Sequence, residues 1–198
     1  MESNREGSTH SIHATDDVLR AGLDEIRASP ADEGILRLIV RRPRPDEREV
    51  LDEARLDLAE GLVGDSWRTR GSSRSADGSP HPDMQLNLMN ARAIALIARR
   101  ADRWPLSGDQ LFVDLDLSAA NLPPGTRLVL GEAVIEITSQ PHTGCRKFVE
   151  RFGVDAMKLV NSPLGRELNL RGVCARVVRG GRIRAGDVVR RVRLPVAS

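Results

Sequence analysis

The stretch Ile135-Glu136-Ile137-Thr138-Ser139-Gln140-Pro141-His142-Thr143-Gly144-Cys145-Arg146-Lys147-Phe148 decides how this chain is read. It begins as a β-strand, stops at Pro141, turns tightly through Gly144 and enters a helix at Cys145. A thiol placed there lies near the first turn of a helix, where unpaired N–H groups and the macrodipole favour negative charge. Arg146, Lys147 and His142 add positive potential in sequence. These features together favour thiolate, the form that binds soft metals and attacks sulfur.

Working outward, the residues before this stretch form a hairpin over 127–137, turning at Gly131-Glu132 after the breaker Pro123-Pro124-Gly125. Residues 112–117 alternate as a strand, and 84–88 do the same. Asn90 caps an apolar helix over 91–98 that ends around Ala101. Residues 35–41 form a strand closed by Pro43 and Pro45, short strands fill 47–60, and Gly61-Leu62-Val63-Gly64-Asp65 is a glycine turn. Residues 68–82 are a long polar loop rich in Ser, Gly, Arg and Asp. After Cys145, helical patterns span 146–152 and 155–160. A strand follows at 173–178, then a hairpin turn at Gly180-Gly181, and 182–184 and 188–194 close the domain. Many short strands with few long helices predict a mainly β fold, a barrel with peripheral helices of the α+β kind. Residues 1–34 read as an N-terminal tail and a short helix, and 35–195 as the barrel domain.

The chain has 198 residues, 40% of them apolar and 29% charged, which is globular composition for one domain. No run approaches the ~18 apolar residues of a membrane span, and the polar N-terminus does not resemble a secretory signal. Two cysteines cannot build a disulfide framework. A reducing cytoplasm is the expected setting, with no membrane partner. The net charge of +2 argues against a broad nucleic-acid footprint. Nine arginines nevertheless crowd residues 166–193 against Glu167 and Asp187. Such forks suit phosphate and carboxylate groups, and an ordinary solvated surface strand explains them equally.

The chemistry narrows by exclusion. No CxxC pair, HExxH or histidine cluster supports a zinc site. No GxGxxG follows a strand, and no nucleophile elbow of the GxSxG type occurs. Cys145 remains, readable as a reactive thiol or as a partly buried apolar residue. Cys174, inside an apolar strand, reads as core. His142 reads as a ligand or proton donor, or as a polar turn residue, and His81 flanks the long loop.

The order Pro141-His142-Thr143-Gly144-Cys145 followed by a basic residue resembles the central signature of MOSC domains, shared with the C-terminus of molybdenum-cofactor sulfurases. Three further segments support the resemblance. Gly108-Asp109-Gln110-Leu111 is similar to a G-E-N-L segment, residues 122–131 to an L-x-P-G-x-x-L-x-hydrophobic-G hairpin, and Gly61 to Asp65 to a G-l-x-G-D turn. The resemblance covers roughly residues 35–194. It implies a barrel-like fold with Cys145 as the key thiol, either ligating molybdenum held by a pterin dithiolene or carrying sulfur as a persulfide. His142, Thr143, Gly144, Arg146, Asp109 and Gln110 would line the cofactor pocket, with Arg171 or Arg176 joining Arg146 on its phosphate. The implied activity is reduction of N-hydroxylated small molecules with electrons from a separate protein; the alternative is a non-catalytic sulfur carrier fed by an external sulfur donor. Residues 68–82 are not part of the pattern, and neither a ferredoxin-like cysteine cluster nor a pyridoxal-phosphate lysine motif is present.

Overall fold

The computed structural model describes residues 12–72 and 74–192. The expected N-terminal tail therefore lies outside the described residues as far as residue 11, as do residues 193–195 at the expected end of the domain. In chain order the elements are α1 (Asp16–Ala21), α2 (Leu23–Arg27), β1 (Glu33–Arg41), β2 (Glu49–Leu51), β3 (Glu53–Asp57), β4 (Gly61–Leu62), α3 (Trp67–Arg70), β5 (Leu86–Asn90), α4 (Ala91–Ala98), β6 (Leu111–Asp114), β7 (Arg127–Leu130), β8 (Ala133–Ile137), α5 (Arg146–Asn161), α6 (Pro163–Glu167), β9 (Val173–Arg179), β10 (Gly181–Arg184) and β11 (Val188–Arg191). Short 3-10 turns cover Pro82–Met84 and Ala101–Ser107.

The strands run in the order β11-β7-β8-β9-β5-β6-β1, and β1 pairs back onto β11, so the sheet closes as a seven-stranded barrel with β2 appended to β1. One pair, β5 with β6, is parallel and needs a crossover; α4 and the turn after it supply that connection. The other pairings are antiparallel. Closure removes the exposed edges that an open sheet would present. A mainly β barrel with peripheral helices is therefore the fold, as the sequence predicts.

Strand alternation builds two cores. Leu36, Ile39, Leu88, Leu111, Val113 and Ile135 fill the barrel. Their neighbours Val40, Met89 and Phe112 point outward, where they meet Leu19 and Leu23 of the N-terminal helices, Ile94 and Ile97 of α4, and Phe148 and Phe152 of α5. Asn90 ends β5 and caps α4: its side-chain oxygen accepts from Arg92 and Ala93 N–H, while its amide donates to Ser29 and Leu115. This satisfies orphan donors at the helix start.

Local readings differ from the structure in places: residues 68–70, read as the start of the polar loop, close the short helix α3, and the glycine turn at 61–65 opens as strand β4. The N-terminal helix is broken at Gly22 into α1 and α2. Gly180-Gly181 is not a hairpin turn between adjacent strands. Instead the chain leaves the barrel there, and β10 pairs with β3 in a separate three-stranded sheet, β10-β3-β4. The pattern of residues around such a turn reports a change of direction, not which strand becomes the neighbour. The two helical patterns read at 146–152 and 155–160 are present as the two arms of α5, joined through Gly153 at φ 89°.

Candidate functional site

The turn that carries Cys145 is fixed from several sides. β8 ends at Ile137, and the Thr138 hydroxyl donates to the Asp83 carbonyl. The Pro141 carbonyl accepts a 3.0 Å hydrogen bond from Arg74. Gly144 N–H donates to the Asn161 side chain at 3.1 Å, and a Cβ added at Gly144 would stand 2.5 Å from the Met157 sulfur. The turn thus packs on the returning second arm of α5. Cys145 itself is the N-cap residue of α5, with extended backbone (φ −125°, ψ 178°); its carbonyl accepts from Phe148 and Val149 N–H. Its thiol makes no capping bond and the residue is exposed.

The cations expected around that sulfur are largely matched by carboxylates. Arg146 pairs with Glu150 at 3.0 Å and Lys147 with Asp46 at 3.0 Å. Thr143 is exposed and Gly144 half-buried, so the turn offers backbone and hydroxyl groups beside the thiol.

Behind the turn lies a buried charge cluster. Asp109 is fully buried; Arg171 clamps both its oxygens, at 3.0 and 2.8 Å, and Ser107 donates to it at 2.7 Å. Arg171 also donates to the Ser107 carbonyl and lies over the Phe148 ring, 5.0 Å from its centroid. Burial works to raise Asp109, but Arg171, His142 and Ser107 together outweigh it and hold the carboxyl below the usual carboxylate range. His142 Nδ1 sits 3.5 Å from Asp109 Oδ1, buried and without a hydrogen bond. Burial, reinforced by Arg171 and opposed by Asp109, lowers this imidazole to about 3, so it is neutral at ordinary pH.

Gln110 is also fully enclosed. Its oxygen accepts from Asn87 N–H and its amide donates to the Gln85 carbonyl. Asp109 and His142 thus meet behind the Cys145 turn and Gln110 ties β5 to β6, while Thr143, Cys145 and Arg146 face solvent.

An open cation-lined cleft of 450 Å³ lies between the residues after β1, α3 and Lys147, two residues beyond Cys145. Asp65 organises it. Its carboxylate accepts from the Arg42 backbone and side chain at 2.9 Å and from Trp67 N–H at 3.0 Å. This gives the glycine-turn aspartate a structural task. Among the described residues, Arg48 in the same cleft donates to the carbonyls of Pro105 and Glu47 and to no carboxylate. The Arg70 guanidinium has no hydrogen bond or ion pair among the described residues. Both guanidiniums are pushed below the usual arginine value, by burial first and then by neighbouring arginines. Arg48 and Arg70 thus bring positive charge to the cleft without an ion pair among the described residues, offset through space by Asp65 and, at Arg48, also by Asp46.

Neither Arg171 nor Arg176 lines this cleft. Arg171 is committed to Asp109, and Arg176 pairs with Glu136 at 2.7 Å and Asp83 at 3.3 Å. The same holds along the C-terminal arginine run, where Arg182, Arg184, Arg190 and Arg191 each meet a carboxylate. The free cations instead come from residues 48 and 70, which sequence reasoning did not single out. Their signal was present as arginines flanking the proline and glycine turns, but nothing in linear order distinguishes a paired guanidinium from an unpaired one. Cys174 is buried, as read, with its thiol pushed up to about 12 mainly by burial.

Residues 75–190 match the MOSC domain family, which spans more than half of the chain, and the chain belongs to that family. The same architecture occurs in the crystal structure of the YuaD protein from Bacillus subtilis, with a TM-score of 0.57 at 17% identity, covering 80% of this chain and 95% of that one. YiiM from Escherichia coli aligns with a TM-score of 0.53 at 21% identity, covering 81% of this chain and 70% of that one. At these identities the likeness speaks to fold. No curated protein matches the chain in sequence.

Proposed function

We propose that this MOSC protein holds a molybdenum–pterin cofactor, with Cys145 as the protein's ligand to the metal, and reduces N-hydroxylated small molecules using electrons from a separate protein. One observation carries the reading: an exposed thiol on a pinned turn lies two residues before Lys147, which lines a cleft where Arg42 and Arg44 are paired with carboxylates but Arg48 and Arg70 form no ion pair among the described residues. Thiolate is a soft donor suited to a sulfur-rich molybdenum centre. Among the described residues no cluster of three or more His, Cys, Asp or Glu could hold a metal ion unaided. A single protein ligand thus suits a metal whose other donors come from an organic cofactor. Arg48 and Arg70 would take the cofactor's phosphate, because guanidinium forks match phosphate oxygens.

When bound, the cofactor supplies a redox-active metal able to accept oxygen from an N–O bond. The protein's part is to fix the thiol through Arg74, Asn161 and the α5 arm, and to keep anionic groups in the cleft. His142 keeps no proton to give at neutral pH beyond its one ring N–H, so it acts as a support of the turn.

A second reading has its own support. The exposure of Cys145 also suits a thiol that accepts sulfur from a donor protein and passes it on as a persulfide. Turnover of an amidoxime with a chemical reductant, lost in Cys145→Ala, supports the reductase. A mass increment of one sulfur atom on Cys145 after incubation with a desulfurase and cysteine, with no turnover, would overturn it in favour of the carrier.

No helix among the described residues is long and apolar enough to cross a membrane.

A further inference from the structure

A second hollow, of 220 Å³, lies on the outer face of the barrel between α3, the polar loop and β5. Its lining includes Trp67, Arg70, Arg74, His81 and Asn87, and contains no aspartate or glutamate. The polar side chains there are turned to donate. His81 Nδ1 accepts from Asp83 N–H at 3.2 Å, which places the ring proton of the neutral imidazole on Nε2. The Asn87 oxygen accepts from the Cys174 thiol at 3.5 Å, leaving its amide N–H groups without a protein partner among the described residues. Arg74 uses one nitrogen on the Pro141 carbonyl, and its remaining N–H groups are unassigned. The Arg70 guanidinium makes no hydrogen bond or ion pair among the described residues.

The loop that presents Arg74 is shaped by its own bonds. Ser72 N–H donates to the Gly78 carbonyl at 3.2 Å and Gly78 N–H to the Ser75 carbonyl at 3.1 Å. Gly71, at φ 68°, lets the neck close, since a Cβ there would stand 2.6 Å from the Gly78 oxygen. The donors are thereby held in place before any ligand arrives.

We propose that this hollow binds a small oxyanion, a phosphate, sulfate or carboxylate group, held by Arg70, Arg74, His81 and Asn87. A concave site that offers several donors and no carboxylate favours an acceptor-only anion, and each charge-assisted bond to it is strong. The like-charge crowding of Arg70 by Arg42 and Arg48 is relieved when an anion settles. The site is distinct from the cleft beside Cys145, with which it shares only Arg70. It does not depend on the cofactor reading. Through Arg74 it is joined to the Pro141 carbonyl, so an occupied site steadies the turn that carries the thiol.

The test titrates inorganic phosphate, sulfate and acetate into the full chain while following the indole N–H signals of Trp67 and Trp104 by NMR, with Trp104→Phe to assign them. Methyl phosphate in a parallel arm separates a free anion from an anionic headgroup, and saturation by either supports the site. The expected result is a saturable shift of the Trp67 signal with at least one oxyanion. Arg74→Gln should weaken that binding about tenfold or more, the scale of one lost charge-assisted hydrogen bond. Arg48→Gln, outside this hollow and felt in it only through its charge on Arg70, should change the binding less than Arg74→Gln does. Unaltered melting of Arg74→Gln shows that the loss is local. The proposal is overturned by no saturable shift at Trp67 with any anion, by equal affinity in Arg74→Gln, or by a loss confined to Arg48→Gln.

Discussion

Arg74 donates a 3.0 Å hydrogen bond to the Pro141 carbonyl, fastening the polar loop after α3 to the turn that carries Cys145. The long loop is thus attached to the candidate site. Arg74→Ala should leave global stability within about 1 kcal/mol, because the bond is exposed and its net worth small. It should, however, speed amide exchange at Gly144 and its neighbours. Hydrogen exchange read on the segment over residues 138–145 checks this, and unchanged protection there would show that the turn is held without Arg74.

Asp109 and Arg171 form a fully enclosed ion pair behind the same turn. Removing one partner strands the other charge without water, a loss of about 3–5 kcal/mol. Asp109→Asn should therefore lower the free energy of unfolding in urea by that order. A loss below about 1 kcal/mol would mean that water reaches Arg171.

His142 gives the fold a pH dependence of defined sign. Its folded value of about 3 lies below the ordinary 6.5, so between these the unfolded chain binds the proton and the folded chain does not. Stability from this group is complete above the ordinary value and falls as pH drops, at up to about 1.4 kcal/mol per pH unit. Asp109, also lowered, acts in the same direction but only below the ordinary aspartate range. Urea unfolding between pH 6.5 and 4.5, a window set by the ordinary His and Asp values of about 6.5 and 3.9, isolates the histidine. His142→Gln should flatten the slope there, and an identical slope would remove His142 from the account.

Two glycines near the site should respond differently. At Gly172, φ 104°, a Cβ would stand 2.1 Å from the Leu88 carbonyl oxygen, which is backbone and cannot move aside. At Gly144 the nearest atom is the sulfur of the flexible Met157. Gly172→Ala should cost about 2 kcal/mol or more, and Gly144→Ala less. Thermal melting of both variants gives the comparison, and the reverse order would contradict it.

Sequence carried the barrel because its strands alternate clearly: the residues that face the interior, such as Leu86, Leu88, Leu111 and Val113, recur at a period of two. It carried the helix start at Cys145, because Pro141 stops the strand and Gly144 turns the chain just before it, but it left open whether the thiol is exposed. It did not carry the partner of β10, since strand neighbours are settled by closure and by long-range register. Nor did it show which arginines are free. Arg171 and Arg176 looked as available as Arg48 and Arg70 until Asp109, Glu136 and Asp83, all distant in sequence, were seen to meet the first two. Burial of Asp109 and Gln110 was hidden for the same reason.

The most direct measurement is molybdenum per chain in protein purified from a molybdenum-replete host, taken beside Cys145→Ala and the double variant Arg48→Gln, Arg70→Gln. The account predicts near-stoichiometric metal in the unaltered protein, a loss of about tenfold or more in Cys145→Ala, and reduced occupancy in the double variant. Equal molybdenum in the unaltered protein and Cys145→Ala would contradict it.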